Sequence, residues 1–276
     1  MKLQIERLKF AYDGGGLVLR DIHLEALPGE VTVIIGPNAS GKSTLLKCVA
    51  GLLRPDGDIR LDGKKIGEFK KDKITQWVSY LPQENSFRAV LTVFEAVLLG
   101  RIQSLSWRVG KEDLAPALKV IEELGIEKLA SRFLDELSGG QKQMVSIAQA
   151  LVRQPRLLLL DEPLNNLDLR HELEILDLLR EITVQRRITT VIALHDLNLV
   201  ARYADKVVIL KDGDVCASGE PEAVLTSQTI GAVYGVICKV TTDDGVLQIT
   251  PLSSIRSKFG NCSEGNNRKM DATIGN

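Results

Sequence analysis

The residues of this 276-residue chain best suited to chemistry form a glycine-rich segment with one lysine followed by two hydroxyl side chains. The segment, called the phosphate loop below, comprises Gly36, Pro37, Asn38, Ala39, Ser40, Gly41, Lys42, Ser43 and Thr44. It fits the pattern G-x-x-x-x-G-K-[ST], in which successive backbone N–H groups turn towards one phosphate cluster. The lysine of this pattern reaches the terminal phosphates, and the hydroxyl that follows it can ligate Mg²⁺. The segment therefore predicts a site for a nucleoside triphosphate.

Two adjacent carboxylates, Asp161 and Glu162, follow the aliphatic run Leu157–Leu160. Ligands of an open parallel sheet lie beyond the carboxyl ends of its strands, so both side chains should face the phosphate loop. Asp161 is suited to hold Mg²⁺, and Glu162 to polarise an attacking water. Asp-Glu-Pro would also serve as a helix N-cap followed by proline in the first turn. The phosphate loop elsewhere in the chain favours the catalytic interpretation.

The surrounding sequence predicts the elements that must position these groups. Residues 31–35 form a β-branched run typical of a strand buried on both faces, and a helix should follow at about 42–53. Further strands are expected at 3–10, 17–24, 157–160, 188–194, 207–210 and 215–217, a helix at 171–182, and strand and turn structure at 54–81. The alternation predicts an α/β fold with a mainly parallel sheet, an N-terminal antiparallel β subdomain and a helical insert at about 84–154.

Composition narrows the function classes. The formal net charge is −1, so no surplus of lysine and arginine supports a nucleic-acid partner. No two of the four cysteines (48, 216, 238 and 262) have metal-ligand or redox spacing, which favours unlinked thiols in a reducing compartment. The N-terminus lacks the apolar run of a signal peptide, and no aliphatic run approaches the roughly 20 residues that span a bilayer. We expect a cytoplasmic protein that reaches a membrane only through a partner.

A third segment, Leu137-Ser138-Gly139-Gly140-Gln141, lies between the two phosphate-site motifs. Together with them it resembles the signature of the ATP-binding cassette (ABC) superfamily, whose members have a P-loop NTPase core. The resemblance predicts an aromatic residue to stack on adenine, a glutamine at the start of the helical insert, a loop that ends in aspartate, and a histidine after the next strand. These are Tyr12, Gln83, Asp168 and His195. The resemblance covers about residues 2–240, followed by a C-terminal extension at 241–252 and a polar, flexible tail at 253–276.

The resemblance also implies a mechanism with ATP and Mg²⁺ as cofactors. Two copies of the chain would sandwich two ATP molecules head to tail, with Ser138, Gly139, Gly140 and Gln141 of one copy facing the phosphate loop of the other. Lys42, Ser43 and Asp161 would hold the phosphates and the metal. Glu162 would activate water and His195 would bind the γ-phosphate. Gln83 would link that phosphate and the metal to the helical insert, which docks on integral membrane permease subunits.

The match narrows further to one branch. Leu167–His171 and His195–Leu199 look like the ATPases of iron–siderophore, haem and cobalamin importers, although molybdate importers of the same branch look similar. This implies a subunit at the cytoplasmic face of the cell membrane that works indirectly with an extracytoplasmic substrate-binding protein. A soluble ABC ATPase acting on DNA or ribosomes is the alternative. It is disfavoured because only 95 positions separate Lys42 from Leu137, too few for a long coiled coil. An ATP sensor without turnover is disfavoured by Glu162 and His195.

Three departures from the usual pattern stand out. Ala39 occupies a position where glycine is commonest, and it would be strained if its φ is positive. Met144 and Gln149 replace two arginines that commonly follow the signature. We expect this to change the local packing or electrostatics of their helix, and not the ATP site. Asn165-Asn166 replaces a frequent Ser-Ala, and we expect this pair to alter contacts across a dimer.

Overall fold

The computed structural model describes residues 1–83, 90–102 and 110–255. Its strands are β1 (Leu3–Ala11), β2 (Leu17–Ala26), β3 (Val31–Ile35), β4 (Asp56–Leu61), β5 (Lys64–Lys65), β6 (Val78–Leu81), β7 (Leu157–Asp161), β8 (Thr189–Ala193), β9 (Lys206–Lys211), β10 (Asp214–Gly219), β11 (Val236–Asp243) and β12 (Val246–Ser254). Its α-helices are α1 (Lys42–Val49), α2 (Lys71–Trp77), α3 (Val93–Leu99), α4 (Lys111–Glu123), α5 (Gly139–Leu151), α6 (Leu169–Arg186), α7 (Leu197–Tyr203), α8 (Pro221–Val224) and α9 (Ser227–Tyr234).

The central sheet has the order β10-β9-β3-β8-β7-β6. β3 runs parallel to β8 and β9, β7 runs parallel to β8 and β6, and β10 closes one side as an antiparallel edge strand. Every residue of β3, β7 and β8 is buried, as expected for strands of a parallel sheet covered on both faces. The carboxyl ends of β3, β6, β7 and β8 therefore meet at one edge of the sheet.

Successive side chains of the central strands point to opposite faces of the sheet, and each face packs against its own hydrophobic core. Ile34 and Leu159 face a core shared with α1 and the N-terminal sheet, which has the antiparallel order β2-β1-β4-β5. Val33 and Leu158 face the opposite core, shared with α3 to α7. Successive strand residues point to opposite faces, so each strand joins both layers. The expected fold class is confirmed, with the helical insert between β6 and β7; residues 84–89 and 103–109 of that insert lie outside the described residues.

Several local predictions were wrong at their boundaries. One helix was missed altogether: the segment 54–81, predicted as strand and turn structure, contains α2. Its sequence has no clear apolar stripe, and tertiary contacts anchor it instead: the Trp77 ring packs 5.4 Å from Phe69 and 5.0 Å from the Arg156 guanidinium. The phosphate-loop helix, predicted to reach about residue 53, ends at Val49. Gly51, two residues later, has a φ of 74°, a left-handed angle with which helices commonly end.

Helix α6 extends beyond the predicted 171–182 at both ends. Asp168 caps its first turn by accepting a hydrogen bond from the backbone of His171, and Arg187 ends it in a left-handed conformation. Polar residues at the ends of a helix carry no apolar periodicity, so the pattern alone underestimated its length.

The predicted C-terminal extension, residues 241–252, is part of a longer hairpin. β11 begins at Val236, before the expected boundary at residue 241, and pairs antiparallel with β12. Ser253 and Ser254, expected in the tail, are instead paired with Ile237 and Val236. The tail from residue 256 onward lies outside the described residues. Within the described ranges, no helix is both long and apolar enough to span a bilayer.

Candidate nucleotide site

The phosphate loop joins β3 to α1, and its backbone depends on glycine at two positions. At Gly36, with φ 153°, a Cβ atom would lie 2.1 Å from the carbonyl oxygen of Leu210. At Gly41, with φ 103°, a Cβ atom would lie 2.7 Å from Cδ2 of Leu19. Ala39 has φ 62°, so alanine does occupy a left-handed position here. The loop geometry thus explains why small residues with unusual backbone angles are needed.

Lys42 lies across the loop. Its ammonium donates hydrogen bonds to the carbonyl oxygens of Gly36 (2.9 Å) and Pro37 (3.3 Å), and the residue is 6% exposed. Burial lowers the pKa of Lys42, and the carboxylates of Glu162 and Asp161 only partly oppose this shift. A buried cation whose charge is incompletely matched by its neighbours would be stabilised by an anion such as a terminal phosphate.

Asp161, at the end of β7, is 2% exposed and accepts two hydrogen bonds. The Ser43 hydroxyl donates to Oδ1 over 2.9 Å, and the Tyr80 hydroxyl donates to Oδ2 over 3.0 Å. Burial raises the pKa of Tyr80, as does the adjacent Asp161, so this hydroxyl keeps its proton and remains a donor. Sequence reasoning missed Tyr80, although a polar side chain near the carboxyl end of a strand beside β7 was an available signal.

The oxygens of Ser43 and Asp161 are a donor set that fits Mg²⁺. The ion prefers hard oxygen ligands and commonly takes only one or two from protein, the rest coming from phosphates and water. Across the described part of the chain, no cluster of three or more histidine, cysteine or acidic side chains offers an all-protein metal site.

Glu162 follows Asp161 with φ 48°, in the left-handed region. Its Oε2 accepts hydrogen bonds from the amide nitrogens of Gln83 (2.9 Å) and Asn165 (2.8 Å). Its backbone N–H donates to the carbonyl of Ala193 at the end of β8 (3.1 Å). Sequence reasoning expected Gln83 near this site but did not assign Asn165 to it.

His195 follows β8 by two residues and is exposed. It lines a small depression together with Glu162, Asn165 and Glu172. The structure therefore brings His195 and Glu162, which the family resemblance assigned to one site, to the same depression.

A larger open cleft of about 530 Å³ lies over the phosphate loop. Its lining consists of Val18, Asn38, Ala39, Ser40, Gly41, Lys42, Ser43, Thr44, Gln83 and Glu162. Tyr12 stands near the start of α1, where its hydroxyl is 3.3 Å from Oγ1 of Thr44 and its ring packs edge-on against Phe10. The residue is 46% exposed, so part of its surface is open to a ligand.

The segment 138–141 forms the start of α5. Ser138 and Gln141 cap this helix reciprocally, since each side chain accepts a hydrogen bond from the other's backbone N–H (3.3 and 3.1 Å). Gly140 packs against the ring of His171, whose Nδ1 is 2.7 Å from Oδ1 of Asp168. Among the described residues that line the cleft over the phosphate loop, none comes from 138–141. One chain therefore presents two separate groups of predicted site residues.

The parallel sheet, the phosphate loop at the end of β3 and the carboxylates at the end of β7 define a nucleotide-hydrolysing P-loop domain. Comparison with known proteins gives the family: the sequence model for the family described as ABC transporter matches residues 19–165. The chain therefore belongs to the ABC transporter family, as an ATP-binding subunit that hydrolyses ATP to drive transport.

Two relatives illustrate the similarity. An uncharacterized ABC transporter ATP-binding protein of Methanocaldococcus jannaschii is 41% identical over 91% of this chain and 98% of its own length. The ferric enterobactin transport ATP-binding protein of Escherichia coli is 36% identical over 91% of this chain and 94% of its own.

Solved structures agree with this result. A transporter described as metal-chelate type, in an inward-facing conformation, has a TM-score of 0.78 at 27% identity and covers 91% of this chain and 96% of its own. The cassette MJ0796, solved as a dimer, has a TM-score of 0.70 at 29% identity and covers 79% of this chain and 98% of its own.

Proposed function

We propose that this chain is the ATPase subunit of an ABC importer, and that its cargo is an iron–siderophore or a related metal chelate such as haem or cobalamin. The relative named for ferric enterobactin transport and the similar metal-chelate type transporter support this branch. A molybdate-type importer of the same branch is the alternative.

One observation carries the hydrolytic part of the proposal. The carboxylate of Glu162 lines the same cleft as Lys42 and Ser43, and it follows directly on Asp161. Lys42 would hold the terminal phosphates together with the backbone N–H groups of the loop. Ser43 and Asp161 would hold Mg²⁺, which supplies charge neutralisation to the phosphates when bound. Glu162 would accept a proton from the attacking water, and His195 would bind the γ-phosphate.

The residues 138–141 suggest why a second copy is needed. They start an α-helix of 13 residues whose N–H groups carry a partial positive charge, yet in the chain itself they lie outside the cleft. We infer a head-to-tail dimer in which Ser138, Gly139, Gly140 and Gln141 of one copy meet the ATP held by the other. The related cassette MJ0796 was solved as a dimer, which supports a dimer of this chain. Asp168 would lie near that contact, and Tyr12 would stack on adenine. Gln83 would link the γ-phosphate to the helical insert, which docks on the permease.

The hydrolytic assignment is tested with Glu162→Gln, which keeps the shape of the side chain and removes its basicity. We expect this variant to bind ATP and accumulate as a dimer in size-exclusion chromatography while its turnover falls at least about a hundredfold. Lys42→Ala is the comparison and should lose ATP binding or turnover. Near wild-type hydrolysis by Glu162→Gln would remove Glu162 as the base.

The cargo is tested by reconstituting the subunit in liposomes with its permease and substrate-binding protein. Ferric siderophore, haem, cobalamin and molybdate would each be offered under identical conditions. ATP-dependent uptake of a metal chelate is the expected result. Uptake of molybdate alone would favour the alternative.

A further inference from the structure

Asn165 belongs to the loop between β7 and α6, three residues after Glu162. The sequence led us to expect that it contacts a second subunit. In the structure its half-buried side chain turns inward, and its amide nitrogen donates a 2.8 Å hydrogen bond to Oε2 of Glu162. This contact lies within one chain, so it requires no partner and no nucleotide.

Gln83 donates to the same oxygen over 2.9 Å. Two donors on Oε2 restrict rotation of the carboxyl group and direct Oε1 away from them. In the described part of the chain, no hydrogen bond to Oε1 is found. Of the two oxygens, Oε1 is therefore the one left available to accept a proton from water.

The hydrogen bonds from Gln83 and Asn165 depend on different parts of the chain. Gln83 is exposed and lies two residues after β6, at the start of the helical insert, so we expect its hydrogen bond to depend on where that insert lies. Asn165 is held close to Glu162 by the chain itself, and its backbone N–H also points to the Glu162 carbonyl (3.4 Å). Its hydrogen bond is local and does not depend on the insert.

The backbone of Glu162 gives this restraint additional importance. A φ of 48° lies in a sparsely populated region for a residue with a long side chain, and such conformations persist only where the surroundings hold them. An amide donor also keeps its proton at every pH at which the protein is folded. Asn165 therefore provides a constant hydrogen bond to a carboxylate that must be aimed accurately.

We propose that Asn165 is a positioning residue for ATP hydrolysis, which holds Oε2 of Glu162 so that Oε1 faces the attacking water. The inference rests on the proposed role of Glu162 as the base. Asn165 does not touch the nucleotide in this scheme, so its loss should affect the rate of turnover and not the binding of ATP.

The test compares two substitutions of similar size in steady-state ATPase assays. Asn165→Leu removes the amide, and Asn165→Asp replaces the donor with a carboxylate that repels Glu162. We expect kcat to fall about tenfold or more for both, since a hydrogen bond to a charged group is lost, while KM for ATP stays within about twofold of wild type. Because Asp is isosteric with Asn, the second variant still tests the proposal if the first fails to fold, as a thermal melt would reveal.

Gln154→Glu is the charge-matched control. Gln154 is exposed and precedes β7 at the opposite edge of the sheet, so this variant should retain wild-type kcat. Glu162→Gln is measured in the same assay. If Glu162→Gln is inactive while both Asn165 variants keep wild-type kcat, or change only KM, the positioning role is refuted and the role of Glu162 stands. If Glu162→Gln remains active, the base assignment fails and this inference fails with it.

Discussion

The Ser43 hydroxyl donates a 2.9 Å hydrogen bond to Oδ1 of Asp161, although 118 positions separate the two residues in the chain. The contact joins the phosphate loop at the end of β3 to the carboxyl end of β7, two strands away. Oδ2 of the same carboxylate is held from β6 by the Tyr80 hydroxyl at 3.0 Å. One buried carboxylate is thus oriented by groups from both sides.

The first prediction concerns Tyr80. If Asp161 takes part in holding Mg²⁺, Tyr80→Phe should raise the Mg²⁺ concentration for half-maximal hydrolysis about tenfold, because residues that orient a metal ligand contribute to its affinity. Titration of Mg²⁺ at saturating ATP measures this shift. Tyr203→Phe is the matched control, since it removes a similar hydrogen bond to a different carboxylate, Asp177 (2.8 Å). Equal Mg²⁺ curves for the two variants would contradict the prediction.

A second prediction concerns the strain at Ala39, whose φ is 62°. Ala39→Gly should increase the free energy of unfolding by roughly 0.5–1 kcal/mol, because glycine adopts left-handed angles without the steric cost that alanine bears. Urea denaturation gives the value. Ala50→Gly serves as the control: Ala50 has an ordinary φ of −69°, so glycine there should lower stability by a similar amount. Stabilities that fall alike in both variants would show that Ala39 is not strained.

The third prediction concerns Gly140 and His171. A Cβ atom at Gly140 would lie 2.7 Å from Cδ2 of His171, whereas at Gly139 the nearest such neighbour is the Asn166 carbonyl oxygen at 4.0 Å. Gly140→Ala should therefore lower the free energy of unfolding by about 1–3 kcal/mol through overpacking, and Gly139→Ala should not. Differential scanning calorimetry of the two variants compares them directly.

A rescue variant makes this third test specific. Adding His171→Ala to Gly140→Ala provides the space that the new methyl group needs, so the double variant should recover part of the lost stability relative to the sum of its single changes. Strict additivity of the two changes would mean that the imidazole is not the group that excludes a side chain at position 140.

The sequence by itself determined the features that are encoded by residues adjacent in the chain. The phosphate loop is recognisable because its glycines, Lys42 and Ser43 are spaced along a single turn. β3 and β7 are recognisable because a continuous β-branched run and a continuous aliphatic run are typical of buried parallel strands. Asp161 and Glu162 could be assigned to the crevice because residues after such strands share one edge of the sheet.

The tertiary structure decided what depends on the directions of side chains and on neighbours distant in sequence. Only the order of the strands brings Tyr80 to Asp161, and only the turn after Glu162 brings the amide of Asn165 to its carboxylate. α2 escaped prediction in part because the ring of Trp77, at its end, is packed by Arg156 from a distant part of the chain. The left-handed φ of Ala39 likewise depends on the path that the phosphate loop takes between β3 and α1. Local patterns specify which elements form, whereas these contacts arise only when the packed sheet fixes where each side chain points.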